Sequence, residues 1–134
     1  MDTEYSERRQ RQRFQAVRDG KPCFFVLIGE ARIPLIDLSL EGFAIAADAG
    51  IAPQQEFDFV LRLSDIPDKI RGRARAMNKV PGEGEGQIGC RFESFEREGA
   101  VDLKEWLTAH VISTASVRIS EKEATAIVTG RSLI

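Results

Sequence analysis

Six short runs of β-type residues, separated by turn residues, constrain the fold of this chain more than any other feature. The runs span residues 23–28, 32–37, 42–46, 57–63, 70–80 and 87–92. Turn-forming pairs such as Asp19-Gly20 and Pro81-Gly82 lie between runs or before the first of them. No long helical pattern interrupts the runs, which favours an antiparallel sandwich or barrel over a parallel α/β sheet. Of the two, a barrel also hides its strand edges, so we predict an all-β fold with a six-stranded antiparallel β-barrel.

After Gly99 the hydrophobic period changes from that of a strand to that of a helix. Apolar or aromatic side chains recur at i, i+3, i+4, i+7 and i+8, namely Leu103, Trp106, Leu107, His110 and Val111. This pattern predicts one amphipathic helix near 99–112 that packs against the barrel, and we assign residues 14–112 to this domain. Residues 113–134 form a tail, in which the capping-box pattern from Ser120 to Glu123 predicts a short helix at 121–129.

The first 13 residues are polar and aperiodic, which predicts a flexible N-terminal arm. Arginine is concentrated in and just after this arm, at Arg8, Arg9, Arg11, Arg13 and Arg18. The net charge of the 134-residue chain is only −2, so a general polyanion binder is not indicated. Guanidinium groups fork onto phosphates and stack on flat rings, so the local excess of arginine favours specific recognition of an anion.

The remaining composition argues against an enzyme, a metalloprotein and a membrane protein. No nucleophile, acid pair or phosphate-binding loop has the pattern that catalysis needs. His110 is the single histidine and lies on the predicted core face, where we expect a structural role with a local partner, and Cys23 and Cys90 lie in apolar runs typical of buried thiols. We expect no metal and no cofactor. The N-terminus has no apolar segment like that of a signal peptide, and no stretch is long enough to cross a membrane, so we expect a cytoplasmic protein.

Two motifs carry the functional signal. Arg9 and Arg13 form R-x-x-x-R, and Asp37, Ser39 and Gly42 form D-x-S-x-x-G, which begins 24 residues after Arg13. The chain resembles the PilZ domain family over residues 7–112. The resemblance rests on the order and spacing of the two motifs, on the strands around them and on the run 88–92, which resembles the last barrel strand of that family. The resemblance implies a barrel followed by a C-terminal helix. It also implies a non-enzymatic receptor for cyclic di-GMP that changes conformation and signals to a downstream protein in motility, biofilm or exopolysaccharide control, and it is compatible with a homodimer.

The resemblance also implies which residues bind the ligand. Arg8, Arg9 and Arg13 would contact phosphates and bases, and Asp37, Ser39 and Gly42 would form the barrel side of the site. The chemistry agrees, because arginine bonds guanine O6 and N7 or phosphate, and a carboxylate accepts from guanine N–H groups. Arg11 is a further candidate. Some family members have a stacking aromatic residue where this chain has Ala76-Met77-Asn78, which leaves stacking to Arg75 or Met77.

Two other functions compete with this interpretation. The chain could be an interaction adaptor that keeps the fold but binds no nucleotide, although the presence of both motifs argues against that. It could also be a weak nucleic-acid binder that uses the arm with Arg71, Arg73 and Arg75, whose alternate spacing predicts one shared strand face. We expect no specific nucleic-acid binding, since surface aromatic residues that stack bases are lacking. Finally, residues 84–89 read G-x-G-x-x-G but precede a strand, which favours a hairpin loop over a dinucleotide fingerprint.

Overall fold

The computed structural model describes residues 11–82 and 84–130, which form a β-rich domain with two α-helices. The short strands that come first are β1 Phe14–Gln15, β2 Val17–Arg18, β3 Lys21–Pro22, β4 Phe24–Ile28, β5 Ala31–Pro34, β6 Asp37–Leu38 and β7 Gly42–Ala46. A 3-10 turn, Ala47–Ala49, leads to the long strands β8 Glu56–Leu63, β9 Lys69–Val80 and β10 Gln87–Phe95. The helices α1 Gly99–Thr114 and α2 Glu121–Thr129 follow.

Eight of these strands form one antiparallel sheet in the order β1-β6-β7-β10-β9-β8-β4-β5, and β2 pairs with β3 in a small separate hairpin. The segment from β5 to β6 curls the large sheet back on itself. Its first half pairs with β4, and the Leu35 N–H still donates to Phe24 O over 3.0 Å. One residue later the Ile36 N–H donates to Ala44 O in β7 over 2.7 Å. The all-β barrel-like class predicted from the sequence is therefore confirmed.

The strand count differs from the predicted six. The predicted run 32–37 is divided into β5 and β6, because the chain changes its pairing partner between Leu35 and Ile36, just after a proline that has no N–H to donate. The strands β1 to β3 precede the first predicted run, and each is only two residues long. A strand of two residues is too short to show the alternation of polar and apolar side chains by which strands are predicted from sequence.

The core lies inside the curled sheet. In strand β8 every second side chain points into this core and is buried, namely Phe57, Phe59, Leu61 and Leu63. Phe59 packs at 5.3 Å from Phe92 between ring centroids, and further aromatic residues extend this cluster. In the glycine-rich segment 84–89, Gly84 and Gly86 lie in the connection between β9 and β10, and residues 87–89 already belong to β10.

The two helices cover one side of this core. Helix α1 buries Leu103, Leu107 and Val111, and the Trp106 ring stacks on Phe24 with centroids 6.4 Å apart. Helix α2 packs against α1 through Ala124 and Val128. The capping box at its start is formed, because Ser120 Oγ accepts the Glu123 N–H and Glu123 Oε1 accepts the Ser120 N–H. Neither helix in the described part of the chain is long and apolar enough to span a membrane.

Candidate ligand-binding site

The D-x-S-x-x-G motif forms the tight connection between β6 and β7. The Ser39 N–H donates to Gly42 O over 2.9 Å, and Ser39 Oγ accepts the N–H groups of Glu41 at 3.0 Å and Gly42 at 3.3 Å. The serine is only 4% exposed. Its hydroxyl therefore stabilises the turn that presents Asp37, as short polar side chains do in many turns.

Gly42 is required by the close approach of the neighbouring strand. A Cβ built on Gly42 would lie 2.0 Å from the backbone oxygen of Cys90 in β10. Next to this contact, the Phe92 N–H of β10 donates to Glu41 O of the turn over 2.9 Å. Any larger residue at position 42 would have to push β10 away from the turn.

The two motifs meet on the outer face of the sheet. Strand β1 pairs with β6 in a register that puts Phe14 opposite Leu38 and Gln15 opposite Asp37. Arg13 directly precedes β1, and its Nη1 lies 4.0 Å from Oδ2 of Asp37. The Arg13 side chain is 49% exposed and that of Asp37 is 21% exposed, so solvent or a ligand can reach both groups. Backbone pairing thus brings the second arginine of R-x-x-x-R to the aspartate of D-x-S-x-x-G.

The other arginines of the N-terminal motif region divide into two groups. Arg8 and Arg9 lie outside the described residues, so their contacts stay a prediction. Arg11 is described and points elsewhere, because its Nη1 donates to Thr129 O at the end of α2 over 2.6 Å. In this structure Arg11 contacts a helix terminus, whereas Arg13 contacts the turn.

Two of the three outward arginines of β9 are paired with acidic residues of the adjacent strands. Arg73 bonds Asp58 at 2.9 Å and Glu56 at 3.2 Å, and Arg75 bonds Glu93 at 2.9 Å and also Glu56. The hydrogen bonds to these carboxylates raise the pKa of both guanidinium groups. The local charge is therefore largely compensated, which disfavours this face as a nucleic-acid surface, and a stacking role for Arg75 stays a prediction. Met77 is half-buried at the next outward position of β9.

Sequence reasoning assigned no ligand contact to β10, yet the register brings that strand to the motif. Gly42 is directly opposite Arg91, and Ala44 is directly opposite Gly89. The alternation of β10 could have predicted that Gly89 and Arg91 point outward, but nothing in the sequence gives the register that puts them beside the turn.

The candidate site is an open surface and not a cleft. Two shallow clefts lie elsewhere, one of about 450 Å³ beside the start of α1 and one of about 390 Å³ between residues 15–20 and the end of α1. Cys23 and Cys90 are both buried free thiols, and burial raises the pKa of Cys90 to about 12. In residues 11–82 and 84–130 we find no cluster of three or more histidine, cysteine or acidic side chains that could hold a metal ion.

Comparisons with known proteins bear on the family and the fold of this chain. A family model described as "PilZ domain" matches residues 7–109, which includes both motifs. The inhibitor of motility MotI/DgrA of Bacillus subtilis has a similar solved structure, with a TM-score of 0.61 at 15% identity. The match covers 80% of this chain but only 53% of that protein, so the chain spans about half of its length. An uncharacterised Legionella protein, Lpg0364, has a TM-score of 0.48 at 13% identity, covering 73% of this chain and 91% of that one. No curated protein matches the sequence.

Proposed function

The chain belongs to the PilZ domain family, and on that premise we propose that it is a receptor for cyclic di-GMP that signals to a partner protein. The observation that carries the proposal is the 4.0 Å approach of Arg13 to Asp37. It joins a guanidinium from one family motif to a carboxylate from the other on one accessible face. A guanine nucleotide with anionic phosphates needs both kinds of group within reach.

The Arg13–Asp37 pair is suited to being replaced by a ligand. Both side chains are partly exposed, and exposed ion pairs contribute only about 0–1 kcal/mol. Little stability is therefore lost when the guanidinium turns to a phosphate and the carboxylate accepts N–H groups of a guanine. In this proposal Arg8 and Arg9 add further contacts, and Ser39 and Gly42 keep the turn in the shape that presents Asp37.

We further propose that the segment 6–14 closes over the bound ligand and so changes the surface offered to a partner. Motility is the first output to test, because the solved neighbour MotI/DgrA is named as an inhibitor of motility. Biofilm and exopolysaccharide control are the other outputs that family membership suggests, and the same proposal puts the receptor in the cytoplasm. Hydrogen exchange of amides 6–14 with and without cyclic di-GMP tests the closure, and equal exchange rates would contradict it.

Isothermal titration with cyclic di-GMP tests the receptor function. We expect Arg13→Ala, Arg9→Ala and Asp37→Asn each to weaken binding by about 10- to 100-fold, since each removes a charged hydrogen-bond partner. Ser39→Ala is less informative on its own, because Ser39 Oγ also holds the turn. Arg71→Ala is the matched control, since Arg71 is an exposed arginine on β9 away from the turn.

Three outcomes separate the functions. Binding by the parent and loss in the motif variants support the receptor. A folded parent that ignores cyclic di-GMP contradicts it and leaves the interaction adaptor as the better account. The third outcome identifies a weak nucleic-acid binder. In that case Arg71→Ala weakens binding as much as Arg13→Ala does, and any oligonucleotide displaces the bound ligand.

A further inference from the structure

We propose that Gly89 and Arg91 of β10 form the far side of the cyclic di-GMP site, with Gly89 in its floor and Arg91 as the cation that contacts a ligand phosphate there. This inference rests on the proposed function and extends the site beyond both motifs. It makes β10 a ligand-binding strand in addition to its role in the core.

The register puts the two residues on the same face as Asp37. Asp37 is directly opposite Ala44 in β7, and Ala44 is directly opposite Gly89 in β10. Directly opposed residues share a face of the sheet. The inward-facing neighbours Ile88 and Cys90 are buried in the core, so Gly89 and Arg91 point outward.

Gly89 is a glycine that neither the backbone nor the packing requires. A Cβ built there would meet no atom within 4 Å, and its φ does not lie in the left-handed region. A bulge interrupts the β9–β10 ladder at this point, but with such a φ the bulge does not demand glycine. Gly42 is different, because the Cys90 backbone excludes a side chain there. Glycine inside a strand costs stability and often marks the close approach of another molecule. Ala44 beside it is only 2% exposed, so the half-buried backbone of Gly89 is the part of this floor against which a purine can lie.

Arg91 is a cation whose charge is not compensated. Its side chain is exposed, and within residues 11–82 and 84–130 that side chain makes no hydrogen bond or ion pair. Its cross-strand neighbours are Gly42 on one side and Arg75 on the other. Arg75 is held by Glu93 and Glu56, so those carboxylates are already engaged. A bound phosphate would supply the counter-charge that Arg91 lacks among these neighbours.

The spacing leaves room for the ligand between the two sides. Arg91 is two strands away from Asp37 and two residues further along, which makes their Cα atoms roughly 12 Å apart. The two side chains therefore do not neutralise each other directly. A cyclic dinucleotide that lies against Gly89 would be bounded by Asp37 and Arg13 on one side and by Arg91 on the other.

Titration of cyclic di-GMP into four variants and the parent tests the inference. We expect Arg91→Ala to weaken binding by about tenfold or more, as loss of a charged contact does. Gly89→Leu should weaken it by a similar factor, because the side chain fills the floor. Arg71→Ala removes the same charge from the outer face of β9 and should bind within about twofold of the parent. Gly89→Ala adds a methyl group to the floor and should weaken binding, though by less than Gly89→Leu does. Thermal melting of every variant establishes that it is folded.

The outcomes distinguish this inference from the receptor function itself. If the parent binds and both Arg91→Ala and Gly89→Leu bind equally well, the inference is wrong and the receptor function stands. If Arg91→Ala and Arg71→Ala weaken binding equally, the effect is general charge and the inference is also wrong. If the parent does not bind, the receptor function fails and the inference fails with it. If Gly89→Leu does not fold, the affinity of Arg91→Ala compared with that of Arg71→Ala decides whether the inference is right.

Discussion

Two glycines on adjacent strands, Gly42 and Gly89, differ in the space around them, so the same substitution should have a large effect at one and a small effect at the other. Gly42→Ala would set a Cβ 2.0 Å from Cys90 O, whereas Gly89→Ala would meet open space. We expect Gly42→Ala to lower the free energy of unfolding by about 2–3 kcal/mol, because β7 and β10 must separate. Gly89→Ala should change it by less than about 0.5 kcal/mol. Urea denaturation of both variants measures this difference.

Equal losses in the two variants would contradict the close approach of β10 at Gly42. The expected result would instead explain the glycine of D-x-S-x-x-G by strand packing and not by ligand contact. A glycine at position 42 is compatible either with a tight turn or with a close approach of another backbone. Only the register against β10 decides between them, since Gly42 has an ordinary φ and packs against backbone 48 residues away.

At the scale of secondary structure, Arg11 links the N-terminal segment to the end of α2. The last carbonyl groups of a helix lack partners within the helix, and a cation there also interacts favourably with the helix dipole. Arg11 supplies such a cation through its 2.6 Å bond to Thr129 O. We expect Arg11→Ala to weaken the last turn of α2 by about 0.5–1 kcal/mol. Faster hydrogen exchange of amides 126–130 would be the measurement.

Arg118→Ala is the control for this prediction, because Arg118 is an exposed arginine in the connection before α2. Unchanged exchange in Arg11→Ala would contradict the capping role. If cyclic di-GMP affinity falls less in Arg11→Ala than in Arg13→Ala, the two arginines have separate tasks, as their different contacts indicate.

The elements themselves were predictable to the extent that their signals are local. Alternation identified β8, the 3.6 period identified α1, and the Ser120–Glu123 pattern identified the start of α2. The pairing of Arg73 and Arg75 with Glu56 was not predictable, because it depends on how β8 and β9 are registered across a connection. The same holds for Arg91, whose position beside Gly42 follows from the sheet order and not from its neighbours in the chain.

At the scale of the whole molecule, His110 connects helix α1 to the strands β1, β2 and β4. His110 in α1 lies edge-on to Phe24 of β4 at 5.1 Å. Its Nε2–H donates to Gln15 O in β1 over 2.8 Å, and its Nδ1 accepts from Arg18 Nε in β2 over 3.0 Å. The sequence predicted a structural histidine with a local partner. The identity of the partners could not be predicted, since Gln15 and Arg18 are more than 90 residues away in the chain.

This arrangement holds His110 in its neutral form and makes stability depend on pH. Burial lowers the pKa of His110 below 6.5, with a further contribution from the Arg18 charge, while the bond to Gln15 O acts in the opposite direction. If Nδ1 of His110 were protonated, its N–H would face the Nε–H of Arg18, and two donors cannot form a hydrogen bond with each other. The unfolded chain therefore binds a proton more readily than the folded chain in the range between the lowered pKa and about pH 6.5. Stability from this group is complete above about pH 6.5 and is lost as the pH falls through that range.

Denaturation curves between pH 7.5 and 5 measure the effect, with His110→Gln as the matched variant. A glutamine amide can donate to Gln15 O and accept from Arg18 but does not titrate. The parent should lose more stability than His110→Gln over this range, and the excess loss belongs to the histidine. Carboxylates such as Glu123, whose pKa is lowered from 4.5 by its hydrogen bonds to Ser120, act at lower pH in both proteins. Parallel pH profiles would mean that the histidine titrates equally in the folded and unfolded chain, and that the contact with Arg18 does not exist in solution.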